Sequence, residues 1–213
     1  MAPNGSLKTR TARTIKWNLI DRVASQVLYA VTGVVLARLL STEDFGLVGA
    51  VLVFQAFASL LVDSGFSYAL IQRKSPSQTD YSTVLWFNIG VACLLYAILF
   101  FCAPLVAECF QGDSRLIPLS RVMFLSFIVN ATAIVQTNRL MKNMDVKMVA
   151  VSNSIGLGVA AVVGIVLAVG GYGAWAIVWQ TITLGAVKSV VLWTTHHWRP
   201  AFVFSWESLK SYF

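Results

Sequence analysis

About six long, predominantly apolar stretches, joined by polar links of only a few residues, dominate this chain. They run from Trp17 to Leu40, Phe45 to Leu70, Thr83 to Phe110, Leu116 to Asn138, Val149 to Val169 and Ala174 to Thr195. A helix needs about 20 apolar residues to cross a bilayer, and lipid cannot satisfy open backbone polar groups, so each stretch is expected to be a spanning helix. Links such as Ser41-Thr42-Glu43-Asp44 and Gly170-Gly171-Tyr172-Gly173 leave no room for a separate domain and make consecutive helices antiparallel neighbours. Composition excludes the soluble alternative: 12% of the 213 residues are charged and 57% are hydrophobic, whereas a soluble domain spends about a quarter of its residues on charge. The same apolar content excludes disorder. A cleaved signal peptide is disfavoured, because Asp21 and Arg22 interrupt a first run that is also too long for one.

The net charge of +7 gains meaning when sorted by position. Lys8, Arg10, Arg13, Lys16, Arg73, Lys74, Arg139, Lys142, Lys147, Arg199 and Lys210 fall on one side of the expected bundle, which is 11 of the 16 basic residues. Arg38, Arg115 and Arg121 fall on the other, and Arg22 and Lys188 lie within apolar stretches. The bias predicts a multi-pass protein of the cytoplasmic (inner) membrane with both ends of this chain in the cytoplasm. Scattered in this way, the basic residues form no patch interleaved with aromatics, so no nucleic-acid partner is expected. Residues 1–16 read as a basic cytoplasmic N-terminus and 17–197 as a six-helix transmembrane lobe. Residues 198–213 mix Trp198, Phe202, Phe204, Trp206 and Tyr212 with Arg199, Glu207 and Lys210, and read as an amphipathic interfacial elbow. Such an elbow leads into a further span, so a longer transporter is expected. A short protein ending in an interfacial anchor is the alternative.

Polar residues inside the spans are the candidate functional groups. Asn18, Arg22, Ser25, Tyr29 and Thr32 recur at steps of 4, 3, 4 and 3, on one helical face that Asp21 and Gln26 widen. Placing charge at the bilayer centre costs about 2.5–3.5 kcal/mol, so this stripe should face water or protein. Arg22 has two readings: a planar donor fork toward an anionic substrate, or a side chain that snorkels to the near interface and pairs with Asp21. Lys188 reads as lining a wet, cation-rich interior suited to phosphate-bearing substrates, against snorkelling or a buried ion pair with an acid such as Asp63. Arg121 is similar, while Asn130, Gln136 and Asn138 on the same span suit interhelical hydrogen bonds. Asp21 and Asp63 are the candidates for binding a coupling proton or sodium ion, although Asp63 also suits a helix cap or a basic loop.

Ser152, Gly156, Ala160, Gly164 and Ala168 put a small residue at every fourth position of the fifth span, a ridge that lets another backbone approach closely. Cys93, Cys102 and Cys109 are odd in number and lack a Cys-x-x-Cys spacing, so neither a disulfide framework nor a zinc site is expected. The adjacent His196 and His197 point about 100° apart on a helix and cannot chelate one metal. Gly-x-Ser-x-Gly, Walker and His-Glu-x-x-His motifs are absent, so neither an enzyme nor a cofactor is expected.

Leu36-Ala37-Arg38-Leu39-Leu40-Ser41-Thr42-Glu43-Asp44-Phe45-Gly46-Leu47-Val48 closely resembles the first hairpin of polysaccharide-biosynthesis flippases of the multidrug/oligosaccharidyl-lipid/polysaccharide exporter superfamily. So do Asp63-Ser64-Gly65-Phe66, Ala69-Leu70-Ile71-Gln72-Arg73 and the Trp198-Arg199-Pro200 elbow, and the hairpin points to the Wzx-like and teichuronic-acid exporter branch. The resemblance implies an all-α membrane protein built of two six-helix lobes around a cationic cavity with alternating access. It implies a lipid-linked (undecaprenyl-pyrophosphate) oligosaccharide as substrate and membrane lipid, glycosyltransferases and a polymerase as neighbours. By length the chain corresponds to the N-terminal lobe and the elbow beyond it. Arg22, Arg121, Lys188, Asn18 and Tyr29 enter as cavity residues from their own placement, not from a family motif. Two other classes stay open: an ion-coupled drug antiporter of the same superfamily, which would want acids such as Asp21 and Asp63, and a non-transporting scaffold for glycan assembly.

Overall fold

A computed structural model describes residues 7–62, 77–110, 112–143, 145–195 and 199–200, with backbone alone over 7–15 and 58–62. Its described residues form six helices and no strand: α1 (Leu7–Leu39), α2 (Thr42–Val62), α3 (Gln78–Cys109), α4 (Leu116–Lys142), α5 (Val146–Val169) and α6 (Trp175–Thr195). Five of them are long and apolar enough to cross a membrane: α1 from Lys16 onward, α3, α4, α5 and α6. The chain is an all-α, multi-pass membrane protein. The far end of the expected second span, with Asp63, lies outside the described residues, as do His196, His197 and all of the expected elbow except Arg199 and Pro200.

Apart from the start, and from the end of the second stretch, which lies outside the described residues, helix boundaries fall within about five residues of the apolar stretches. α1 begins at Leu7, ten residues before the expected Trp17, and its 33 residues give a length of about 50 Å. Hydropathy marks only the lipid-buried part of a helix, whereas backbone hydrogen bonding continues through Lys8 to Lys16. At the starts of α2 and α3 the chain uses one device twice. Ser41 Oγ accepts from the Asp44 amide at 3.1 Å while the Asp44 carboxylate accepts from the Ser41 amide at 3.1 Å. Ser77 and Asp80 repeat this reciprocal box, at 3.2 and 2.8 Å.

α3 packs against α4 and α5 against α6 as antiparallel hairpins, α4 lies against α6, and α2 rests on α3 and α4. The expectation that consecutive helices are neighbours fails at the first hairpin, where α1 packs along α5 instead of α2. The reason lies in what each helix offers. α1 and the residue after it present Leu36 and Leu40 to Ala168 and Ala176, and α1 presents polar groups to α5, whereas α2 sends Leu47, Val48 and Val51 into a core around Met123, Phe124 and Phe127 of α4. Gln55 of α2 also donates to Ser126 Oγ of α4 at 3.2 Å.

The small-residue ridge is the α5–α6 seam. Ser152, Gly156, Ala160, Gly164 and Ala168 are all buried. A Cβ on Gly156 would lie 3.0 Å from the Leu184 carbonyl oxygen, and one on Gly164 would meet Gln180 at 3.1 Å. Backbone-to-backbone contact of this closeness is what small residues permit inside a bilayer, where packing replaces the hydrophobic effect between helices.

Candidate functional site

The face that α1 turns toward α5 carries Asp21, Ser25, Thr32 and Leu36, and Thr32 is only 3% exposed. At about 100° per residue, Asn18, Tyr29, Arg22 and Gln26 come next around the helix, followed by Leu19, Val23, Val27, Val31 and Val34. All nine of these side chains are exposed, Tyr29 at 48% and Val23 at 57%. The uncovered half of α1 is therefore divided into a polar flank and an apolar flank. Lipid suits the apolar flank, and the polar one requires water or protein. The single polar stripe expected from sequence is thus split. Ser25, Thr32 and the half-buried Asp21 serve packing, while Asn18, Arg22 and Tyr29 stay open.

Asn153 of α5 ties the contact face together. Its Nδ2 donates to Ser25 Oγ at 3.0 Å and to Asp21 Oδ1 at 3.3 Å, and Ser25 Oγ donates to Asp21 Oδ1 at 3.4 Å. The half-buried Lys188 of α6 faces this cluster across the seam, because its Cβ lies 3.4 Å from where a Gly156 Cβ would stand. The Asp21 charge reaches the Lys188 ammonium, yet among the described residues no carboxylate or hydrogen-bond acceptor is in contact with it. Asp21 is the acid it senses among the described residues, and Asp63 lies outside them. Asn153 and Lys188 each lie seven residues from a helix end, at Val146 and Thr195, a depth of about 10 Å. The result is a partly dehydrated cation beside an acid that Asn153 and Ser25 already occupy. Such a group can attract an anion without first breaking a salt bridge.

Arg121 is placed elsewhere, at the far end of the α3–α4 hairpin. Its Nε donates to the Phe100 carbonyl at 3.3 Å, and its guanidinium covers the Phe100 ring with Cζ 4.3 Å from the centroid. The structure does not bring Arg121 together with Arg22 and Lys188. Asn130 abuts Gly185 of α6, where an added Cβ would come 2.8 Å from its Oδ1. The α4–α6 contact is further secured by Thr132 and Ser189, whose hydroxyls are 2.7 Å apart, and by Trp193 Nε1, which donates to the Thr132 carbonyl at 3.0 Å. Cys93, Cys102 and Cys109 are free.

Charges between the helices at the Ser41 end behave differently. Arg115 donates from Nη2 to Glu43 and to Asp113 Oδ2 (2.7 Å), and from Nε to both Asp113 oxygens (3.1 Å each). Hydrogen bonds from Arg115 hold the Asp113 carboxyl below its ordinary value. Asp44, besides closing its capping box, accepts from the Ala174 amide at 2.9 Å. Gly173, at φ +54°, permits this, since a Cβ there would strike the Asp44 carboxylate. Open clefts of about 470 and 290 Å³ flank this network, one between Glu43, Phe110 and Asp113, the other between Asp44, Arg115, Tyr172 and Trp175.

Sequence reasoning passed over Asn153 and the Arg115 network. Asn153 was visible as the one amide in the fifth apolar stretch, and both capping boxes as a Ser followed three residues later by Asp.

Comparison with known proteins places this lobe of membrane-spanning helices in a family. Residues 35–213 match the family described as polysaccharide biosynthesis protein, and the chain belongs to that family. It is 29% identical over 206 residues to the succinoglycan biosynthesis transport protein ExoT of Rhizobium meliloti, covering 96% of this chain and 41% of ExoT. It is 27% identical over 204 residues to the teichuronic acid biosynthesis protein TuaB of Bacillus subtilis, covering 93% of this chain and 41% of TuaB. The lipopolysaccharide biosynthesis protein WzxC of Escherichia coli is 32% identical over 124 residues, 58% of this chain and 25% of WzxC. The chain thus spans about two fifths of the length of the first two relatives. No solved structure matches it.

Proposed function

We propose that this chain is one lobe of a flippase that exports lipid-linked oligosaccharide, carried on undecaprenyl pyrophosphate, across the cytoplasmic membrane for surface polysaccharide synthesis. The protein is a carrier and not an enzyme, and it moves its substrate by alternating access. Its basic ends, Lys16, Lys142 and Lys147 among them, face the cytoplasm. Membrane lipid surrounds it, and glycosyltransferases and a polymerase work beside it. The observation that carries this reading is Lys188, a half-buried ammonium without a contact partner among the described residues, next to the open polar flank of α1. A pyrophosphate is costly to move through hydrocarbon, and Lys188 together with Arg22 lowers that cost by offering charge along the path. Asn18 and Tyr29 supply neutral hydrogen-bonding groups on the same flank. Asp21 tunes Lys188 through its charge. An antiporter for cationic drugs would want the reverse, an acid left open, and Asp21 is engaged by Ser25 and Asn153.

The test follows the glycan lipid itself. Deleting the gene should trap lipid-linked oligosaccharide in the inner leaflet, where a membrane-impermeant glycan label added from outside cannot reach it. Complementation with the K188M form should leave it trapped although the protein accumulates in the membrane. Normal outer-leaflet labelling in the deletion strain sinks the proposal.

A further inference from the structure

Pro104 lies inside α3. A proline has no amide hydrogen, so the carbonyl one turn earlier, that of Phe100, has no helical donor. Within a bilayer no water replaces it, and prolines in spanning helices are tolerated where a neighbouring helix supplies a substitute. Arg121 of α4 is that substitute. Its Nε donates to this very carbonyl at 3.3 Å, while its guanidinium lies flat over the ring of the same residue, 4.3 Å from the centroid. An arginine suits the position as a lysine does not, because the planar group can donate from its edge while stacking on its face.

We infer that Pro104 and Arg121 form one unit, a joint across the α3–α4 hairpin, in which Arg121 is a positioning residue that replaces the donor removed by the proline. Two features of the site agree. No carboxylate pairs with Arg121 among the described residues, so its charge is directed at the carbonyl and the ring. Moreover, Ala103 beside the proline is fully buried, as are Met123 and Phe124 beyond the arginine, which leaves little room for the joint to relax. The unit sets how α3 lies on α4, and it removes Arg121 from the set of cations available to a transported anion.

A double-mutant cycle on the intact membrane protein tests this, with R121A, P104A and P104A/R121A compared with the parent for membrane accumulation, thermal unfolding in detergent and polysaccharide export. With Pro104 present, R121A should lower the folded-to-unfolded ratio by about ten- to a hundredfold, the range for losing a hydrogen bond from a charged donor. Alanine at 104 restores an amide hydrogen to the Phe100 carbonyl, so in that background the same change should cost no more than about threefold, and export should recover in parallel. Should R121A alone fail to accumulate, recovery of accumulation in P104A/R121A is the supporting result. Equal losses in both backgrounds overturn the inference. Restored folding without restored export overturns it too, because Arg121 would then act on the substrate.

Discussion

The two ends of the lobe handle charge in opposite ways. At the Ser41 end, Arg115, Glu43, Asp113 and Asp44 satisfy one another, a capping box and the Ala174 amide, so that three loops are joined by groups with little capacity left. In the opposite half, Lys188 and Arg22 make no such pairs among the described residues, while the acid between them is occupied by Ser25 and Asn153. Saturated charges build structure. Charges left open inside a membrane cost stability, and a protein retains them where they act on something else. The comparison therefore divides the basic residues by what surrounds them and not by their number.

The largest test of that division is mechanical. G156L should abolish accumulation or cost about 3 kcal/mol, the upper end for overpacking, in detergent unfolding, because the new side chain meets the Leu184 backbone oxygen and must separate α5 from α6 just where Lys188 is held. A well-folded G156L protein would remove the seam from the argument. Next comes the charge itself. K188M, similar in volume, should fold at least as well as the parent and yet lower export by about tenfold or more, equivalent to about 1.4 kcal/mol of lost anion stabilisation. At the saturated end the order reverses. D44A should cost about 1–2 kcal/mol of stability through the lost carboxylate arm of the capping box and the lost Ala174 tie, with export falling only as the folded fraction falls. Smallest is R115M, an exposed network whose loss should leave the unfolding transition nearly unchanged and export intact. Export lost in R115M but kept in K188M would invert the comparison.

Acid sharpens it further. The depressed folded value of Asp113 means that its contribution is present above the ordinary carboxylate range near pH 4 and is lost as pH falls through the lower folded value. The Arg115 network should accordingly be insensitive to pH from neutrality to about 5 and loosen only in strong acid, read as increased labelling of a cysteine introduced at Ser114 in a background with Cys93, Cys102 and Cys109 replaced by alanine.

Particular residues show how much was legible beforehand. Leu116 begins α4 where the apolar stretch begins, and Val169 ends α5 where it ends, because lipid imposes a minimum apolar length on every span. The ridge from Ser152 to Ala168 was equally readable, since a period of four survives any choice of partner. Asn18, Arg22, Ser25, Tyr29 and Thr32 shared a face in the sequence but not a role in the fold. Periodicity places residues around an axis, and only the neighbour decides which of them it covers. Arg121 and Lys188 looked alike as basic residues near the ends of apolar runs, yet one meets the Phe100 carbonyl and the ammonium of the other meets no hydrogen-bond or ion-pair partner among the described residues.

From the chain alone came the all-α membrane architecture, the approximate spans, the small-residue seam and the resemblance that family membership bears out. Each is local or one-dimensional, set by hydropathy, spacing or a short motif. Tertiary structure decided that α1 leaves α2 for α5, that Asn153 joins Asp21 to Ser25, and which basic side chains are engaged. Those outcomes depend on contacts between residues up to 132 positions apart, and no local pattern records which distant backbone will arrive beside a given side chain.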